Sequence, residues 1–320
     1  MDTFALADGD FSVEIVSRGA AVNDIRMPDR DGVVGPVLLG YADEAVRLAA
    51  QACAGEICGP YANRIGAGGF VIDGVTHNPE PNESDTAVLH GGPNAWNRQN
   101  WDLTSENDNM VALHLDWNGA LSGWPGQYHA DVRYRLDHWS LTHTVRAWAD
   151  VPVVLNVVSH PYFNLSGTGA PIDDHVLQVW AGHYLPVDGA ALPVGGPPRY
   201  VGNSPFDFRL PRRIGDVLSD PDPQLAARSG IDHAFVLEGR GMKPAARVRH
   251  PESGRQLLIT TDYPALQVYT GQFLEGGMRP GLALETEEFP DAPRRPDFPP
   301  VVIRPGQTYT RTTTWTFSLG

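Results

Sequence analysis

Cysteine is scarce in these 320 residues: only Cys53 and Cys58 occur, five apart and without further ligand partners nearby. Neither a disulfide framework nor a zinc site is expected from such a pair. Basic residues are in deficit too, 24 Lys and Arg against 38 Asp and Glu, for a net charge of -14. Phosphate backbones need Lys and Arg, so nucleic acid is excluded as the expected partner. A neutral or cationic small substrate fits; an anionic one needs a local basic patch. Residues 1–20 hold Asp2, Asp8, Asp10 and Glu14 and no basic region ahead of an apolar run, so no signal peptide is expected. No stretch approaches the roughly 18 apolar residues of a membrane span, and the cytoplasm is the expected compartment. Linkers rich in Ser and Gly, low-complexity tracts and repeats are missing as well, and helical periodicity is weak.

What is present is alternation. Phe11 to Ile15, Val111 to Trp117, Ala130 to Tyr134 and Tyr309 to Phe317 place apolar residues at every second position. Period two predicts strands with one buried face, the last carrying Arg311 and a threonine ladder on a half-exposed side. Val153 to Val158 is more uniformly apolar and predicts a central strand covered on both faces. The acids Asp43 and Glu44 begin a stretch to Gln51 that suits a short helix, and Pro221 to Ala227 suits another. With 34 glycines and 28 prolines scattered as turn punctuation, the expected architecture is all-β, a large antiparallel β-sandwich with few short helices. An apolar fraction of 42% supplies a packed core. All-β chains often exceed about 200 residues as one domain, and a single domain over 1–320 is expected.

Several strings carry chemistry. Asn63 and Arg64 precede a glycine run, Gly66 to Gly69, that fits neither a phosphate loop nor a dinucleotide fingerprint. Alone, this reads as a hairpin whose Arg64 caps a carboxylate. His90 stands before Gly91 and Gly92, which let backbone approach a ligand; alone, it reads as a packed or capping residue. His160 ends an apolar run and precedes Pro161, Tyr162 and Phe163; alone, it reads as a solvated strand end. Asp232 and His233 open an apolar strand, where a turn Asp with a local hydrogen bond is the plain reading. Gln267 alternates within Leu266 to Gly271. Glu285 closes the apolar run Gly281 to Leu284, and burying such a carboxylate without a partner is costly. Glu287 and Glu288 read as solvated.

Taken in order, the strings resemble the aldose 1-epimerase (galactose mutarotase) family. The resemblance runs from Gly19-Ala-Ala-Val22 through Val37-Leu-Leu-Gly40-Tyr41, Ala62-Asn-Arg-Ile65 and His90-Gly-Gly92. It continues through His160-Pro-Tyr-Phe-Asn-Leu165, Ser204-Pro-Phe-Asp-Phe208, Asp232-His233 and Gln267-Val-Tyr-Thr-Gly271. Glu285-Thr-Glu-Glu-Phe-Pro-Asp291, Phe298-Pro299 and Arg304-Pro-Gly306 complete it. The resemblance implies a galactose mutarotase-like super-sandwich and an isomerase that interconverts α and β anomers of a hexose such as galactose or glucose. It implies Glu285 as general base, His160 as general acid and His90 beside it, with Arg64, Asn63, Asp232 and Gln267 on sugar hydroxyls. It implies no cofactor; no metal, membrane or nucleic acid is expected to take part, and a monomer or homodimer is expected.

Opening a hemiacetal requires a base on the C1 hydroxyl and an acid on the ring oxygen, each contributing about 10²–10⁴-fold. The expectation is a Glu285 ionised at neutral pH that raises the pKa of His160, with Trp96 or Tyr162 supplying an aromatic face. Two departures from the family pattern stand out. Pro93 to Arg98 replaces a usual Gly-Phe-Asp-Lys string near the expected sugar, and Pro161 replaces a small hydroxyl residue. The alternatives are an epimerase for a different or modified sugar, or a non-catalytic sugar-binding protein on the same fold. A metal hydrolase using the two histidines and Glu285 is a third, without supporting H-E-x-x-H spacing.

Overall fold

The structure, a computed structural model, describes residues 1–83, 86–274 and 276–320. Three antiparallel sheets dominate. The largest has nine strands in the order Asp102–Asn107, Met110–Asn118, Gln127–Asp137, Ser140–Ala149, Tyr309–Leu319, Arg255–Thr261, Lys243–Arg249, Val176–Val179, Arg212–Arg213. A six-stranded sheet runs Tyr162–Phe163, Leu282–Glu287, Ala265–Tyr269, Asp232–Leu237, Ala181–Tyr184, Arg199–Tyr200. Thr3–Asp8, Phe11–Val16, Ala21–Pro28 and Val34–Pro36 form the third. The alternating segments are the strands that period two predicts: in Gln127–Asp137, Tyr128, Ala130, Val132 and Tyr134 are buried while Arg133 and Arg135 are exposed.

One apolar cluster joins the sheets, from Phe4 and Phe11 through Val132 and Phe163 to Trp315 and Phe317. Trp315 of the nine-stranded sheet meets Phe163 of the six-stranded sheet edge-on, with ring centroids 5.2 Å apart. Face-to-face packing of this kind is the expected β-sandwich. Beside it, Thr313 Oγ1 lies 2.9 Å from Thr261 Oγ1 and 2.7 Å from Thr286 Oγ1, all three residues buried. Replacing Thr313 by Val leaves the Thr286 hydroxyl without its partner in a dry interior, while Thr261 keeps its bond to the Thr312 carbonyl, and is expected to cost about 1–3 kcal/mol. Urea unfolding checks this as a lower midpoint at unchanged slope.

Both predicted helices form. Asp43 caps Glu44–Ala49 by accepting from the Val46 amide at 2.9 Å, and Asp222 caps Pro223–Arg228, with Pro223 in the first turn. The short helix Ile214–Leu218 was not anticipated; its preceding residue, Arg213, makes no side-chain cap. The stretch Val153 to Val158 is buried throughout, but it is not one central strand. Val153–Val154 pairs with Val302–Ile303, and Val158–Ser159 pairs with Ile57–Cys58. Between them Asn156 bridges to Tyr61, donates to the Ala62 carbonyl at 3.0 Å and accepts from the Glu288 amide at 2.8 Å. The backbone changes partners there, so the strand breaks while burial continues.

Candidate active site

Strand register assembles the site. Gln267 lies directly opposite Glu285, Ala234 opposite Gln267, Asp232 opposite Tyr269, and Tyr162 opposite Ala283. Side chains alternate faces along a strand, so Asp232, Gln267, Tyr269, Glu285 and Tyr162 share one face of the six-stranded sheet. The opposite face carries Phe163, Phe235, Leu266, Val268 and Leu284 into the core. The polar face forms the floor of a cavity of about 900 Å³, and His90, His160, Arg64, Asn63, Asp232, Gln267 and Glu285 all line it.

His160 follows the strand Val158–Ser159, and its Nε2 lies 3.4 Å from Glu285 Oε1. Far from a solvated strand end, it is 5% exposed, and Glu285 is 2% exposed. His90 meets His160 edge-on with ring centroids 5.1 Å apart. The Asn63 amide donates to His90 Nδ1 at 3.3 Å while the His90 amide donates to the Asn63 carbonyl at 3.0 Å. Nδ1 is thus the acceptor, which assigns the proton of neutral His90 to Nε2. Both Asn63 and His90 adopt left-handed backbone, at φ 57° and 53°, conformations that concentrate at functional sites. Gly91 follows at φ 91°, where an added Cβ would sit 2.4 Å from the Gly59 carbonyl oxygen.

Arg64 does cap a carboxylate: its Nε and Nη2 donate to Glu83 at 2.6 and 2.8 Å. No protein bond to its Nη1 occurs among the described residues, which leaves that nitrogen for a ligand. Asp232 is no turn residue with a local bond. Its Oδ1 accepts from Gln267 Nε2 at 2.7 Å and its Oδ2 from Arg228 Nη2 at 2.7 Å.

Burial works against the expected charge states. Desolvation, reinforced by Asp232 and only partly offset by Arg64, pushes Glu285 up to about 8. Desolvation also takes His160 down to about 4, against smaller opposing effects from its own backbone bond and Asp232. His90 is held well below the usual imidazole range by burial, His160 and Arg64. Burial thus favours a neutral carboxyl beside a neutral imidazole over the expected ion pair. Asp232 behaves differently: burial pushes it up, but Arg64 and Arg228 outweigh this and keep it ionised.

Several other expectations need correction. Glu287 and Glu288 are buried, not solvated. Glu287 lies on the Glu285 face and is pushed well up by burial and by Glu285, while Glu288 accepts from Arg311 Nε at 2.7 Å. Trp96 is fully buried and does not line the cavity; Tyr162 and Tyr269 supply the aromatic walls. Nor does any residue from Pro93 to Arg98 line it. That loop acts from behind: Asn97 Nδ2 donates to Glu56 Oε2 at 3.1 Å, and Arg98 Nη2 donates to the Ala50 carbonyl at 2.9 Å. The Arg98 bond, with a 3.2 Å contact from Asn97 Nδ2 to Cys53 Sγ, braces residues 49–54, which do form a wall.

Arg228, Glu83 and Tyr269 were missed in the sequence. Tyr269 was readable, two residues beyond Gln267 on the same face. Arg228 stands four residues before Asp232 in the last turn of a predictable helix, which is also a usable signal. Nothing in the sequence around Glu83 marks it as the partner of Arg64. The donor atoms of His90, His160 and Glu285 lie within 4.8 Å of one another, a spacing that also suits a divalent transition metal.

A sequence model described as aldose 1-epimerase matches residues 2–316. The chain is 36% identical to the galactose mutarotase of Mus musculus, covering all of this chain and 94% of that protein. It is 37% identical to the aldose 1-epimerase of Escherichia coli (strain K12), covering 95% and 91%. Among solved structures, a GalM/aldose epimerase homologue from C. elegans superposes with TM-score 0.92 at 27% identity, covering 99% of both chains. Galactose 1-epimerase from Lactobacillus acidophilus NCFM superposes at 0.85 and 28%, covering 98% and 93%. With its strand-borne Glu285 and His160 in the cavity of a mutarotase-type sandwich, this chain belongs to the aldose 1-epimerase family.

Proposed function

We propose that the protein is a mutarotase that interconverts the α and β anomers of an aldohexose such as galactose or glucose. One observation carries the reading: a carboxylate oxygen and an imidazole nitrogen 3.4 Å apart on the floor of a sugar-sized cavity. The C1 hydroxyl and the ring oxygen are bonded to the same carbon, so a base for one and an acid for the other must reach into one small region, as this pair can. The protonated Glu285–neutral His160 pair and the ionised Glu285–imidazolium pair contain the same number of protons. Passing one proton from Oε1 to Nε2 therefore generates the reactive form without exchange with solvent.

In the forward direction Glu285 takes the proton of the C1 hydroxyl as His160 protonates the ring oxygen. The C1–O5 bond breaks and an open-chain aldehyde forms. Rotation about C1–C2 presents the other carbonyl face. His160 then withdraws the proton from the C5 hydroxyl as O5 attacks C1, and Glu285 returns a proton to the carbonyl oxygen. His90 Nε2–H donates to the oxygen on which charge develops. Ionised Asp232 and Arg64 Nη1, with Gln267, hold the remaining hydroxyls, and Asn63 fixes the His90 tautomer. Arg228 positions Asp232.

Polarimetry of freshly dissolved α-D-galactose and α-D-glucose tests this, with a rate far above solvent background expected for at least one and no loss on chelation. Calorimetric sugar binding with only the background rate would instead identify a non-catalytic binding protein. Chelator-sensitive activity would point to a metal on His90, His160 and Glu285. In keeping with one continuous core, residues 1–320 act as one domain. No helix among the described residues is long and apolar enough to cross a membrane. A cytoplasmic monomer or homodimer without nucleic-acid partners fits the acidic composition.

A further inference from the structure

The outer face of the nine-stranded sheet holds a second cluster of titratable side chains, none of which lines the sugar cavity. His114 and Asp116 lie on Met110–Asn118, and His129 and Asp131 lie on the neighbouring Gln127–Asp137. Asp116 pairs in register with His129, and His114 with Asp131. The inward residues of both strands are apolar, Leu113 and Leu115 facing the core beside Ala130 and Val132, so all four polar side chains project outward together. His114 Nε2 lies 3.1 Å and His129 Nδ1 2.5 Å from the same atom, Asp116 Oδ1. The three donor atoms fall within 4.8 Å of one another.

We propose that His114, Asp116 and His129 form a surface site for one divalent transition-metal ion of the Zn²⁺ class. Two imidazole nitrogens and one carboxylate oxygen suit zinc, nickel or copper; calcium and magnesium require oxygen donors throughout. The support behind the donors is what separates this cluster from a chance surface pairing. Asp131 Oδ1 lies 2.8 Å from His114 Nδ1, which fixes the ring and turns Nε2 toward Asp116, the carboxylate–histidine arrangement found behind metal-bound imidazoles. The His129 ring stacks on Trp148 with centroids 5.4 Å apart and planes at 16°, so its rotamer is held as well. The Asp116 side chain is 61% exposed while those of His114 and His129 are 25% and 23%, which gives an ion an entry path and a solvent-side position for water. Asp102 lies opposite His114 on one side and Arg146 opposite Asp131 on the other. Acids exceed bases around the cluster, which favours a cation. Bound there, an ion would clamp two adjacent strands across their ladder.

Calorimetric titration of chelator-treated, full-length protein with ZnCl₂ tests the site. One ion is expected to bind per chain and to raise the thermal midpoint. His114→Ala and His129→Ala are each expected to abolish that binding, with circular dichroism confirming retained strand content. Asp131→Asn, which leaves all three donors in place, is expected to weaken it by about 10- to 100-fold. Failure of the wild-type protein to take up a stoichiometric ion would reduce the cluster to a hydrogen-bonded charge network and overturn the proposal. Binding undiminished in His114→Ala and His129→Ala would overturn it too, by sending the ion elsewhere. Titrating Zn²⁺ into the mutarotation assay then separates the two clusters: no change in rate is expected as this site fills, whereas inhibition that persists in His129→Ala would place the ion on His90, His160 and Glu285.

Discussion

Replacing Glu285 by Gln lowers the rate of α-to-β conversion by about 10²–10⁴-fold, the range for losing one positioned proton-transfer group. The substitution is nearly isosteric, and burial, which pushes the wild-type side chain up to about 8, already favours its neutral form. A neutral amide is therefore tolerated in a pocket that already disfavours the charge, and the fold is expected to stay intact or gain slightly. Sugar binding should survive as well, because Asp232 and Gln267 keep their mutual bond and Arg64 keeps its bonds to Glu83. Polarimetry, with thermal unfolding as the control for folding, gives the result; a wild-type rate would remove Glu285 from the reaction.

The pH–rate profile is expected to be flat between about 4 and 8 and to fall roughly tenfold per pH unit outside that window. The signs follow from the two shifts. His160 is taken down to about 4 by burial, so below that pH both groups are protonated and no base is left for the C1 hydroxyl. Glu285 is pushed up to about 8, so above that pH the pair has lost its single proton and no acid is left for the ring oxygen. The usual assignment, a carboxylate titrating low and an imidazole high, also gives a bell. The variant distinguishes the two: the residual rate of Glu285→Gln should lose the alkaline limb, because the carboxyl carries it. An alkaline limb that persists in that variant would return the upper titration to His160.

How far the sequence foretold this site depends on the kind of inference. Alternation was enough to find the strands of Phe11, Val111, Ala130 and Tyr309, because one wet and one dry face impose period two. The same alternation, carried from Gln267 to Tyr269 and from Asp232 to Ala234, would have predicted the floor of the cavity. Segment order could not supply register, and register is what sets Gln267 opposite Glu285. Val153 to Val158 misled because uniform apolarity reports burial, not pairing, and the backbone there changes partners at Asn156. Glu287 and Glu288 misled for the opposite reason: charge suggests water, yet buried Asn63 and half-buried Arg311 pair with them. The opposed shifts of Glu285 and His160 were out of reach, since they depend on depth of burial.

The strand Tyr309–Leu319 lies between Ser140–Ala149 and Arg255–Thr261, joining Thr142 to Thr314 on one side and Leu257 to Phe317 on the other. Its neighbours are thus recruited from opposite ends of a long stretch of chain, and closing such loops is slow. Until it docks, both flanking strands present open ladders that invite pairing with other molecules. Maturation is therefore a vulnerable period for this protein: overcrowding during synthesis should raise losses to aggregation.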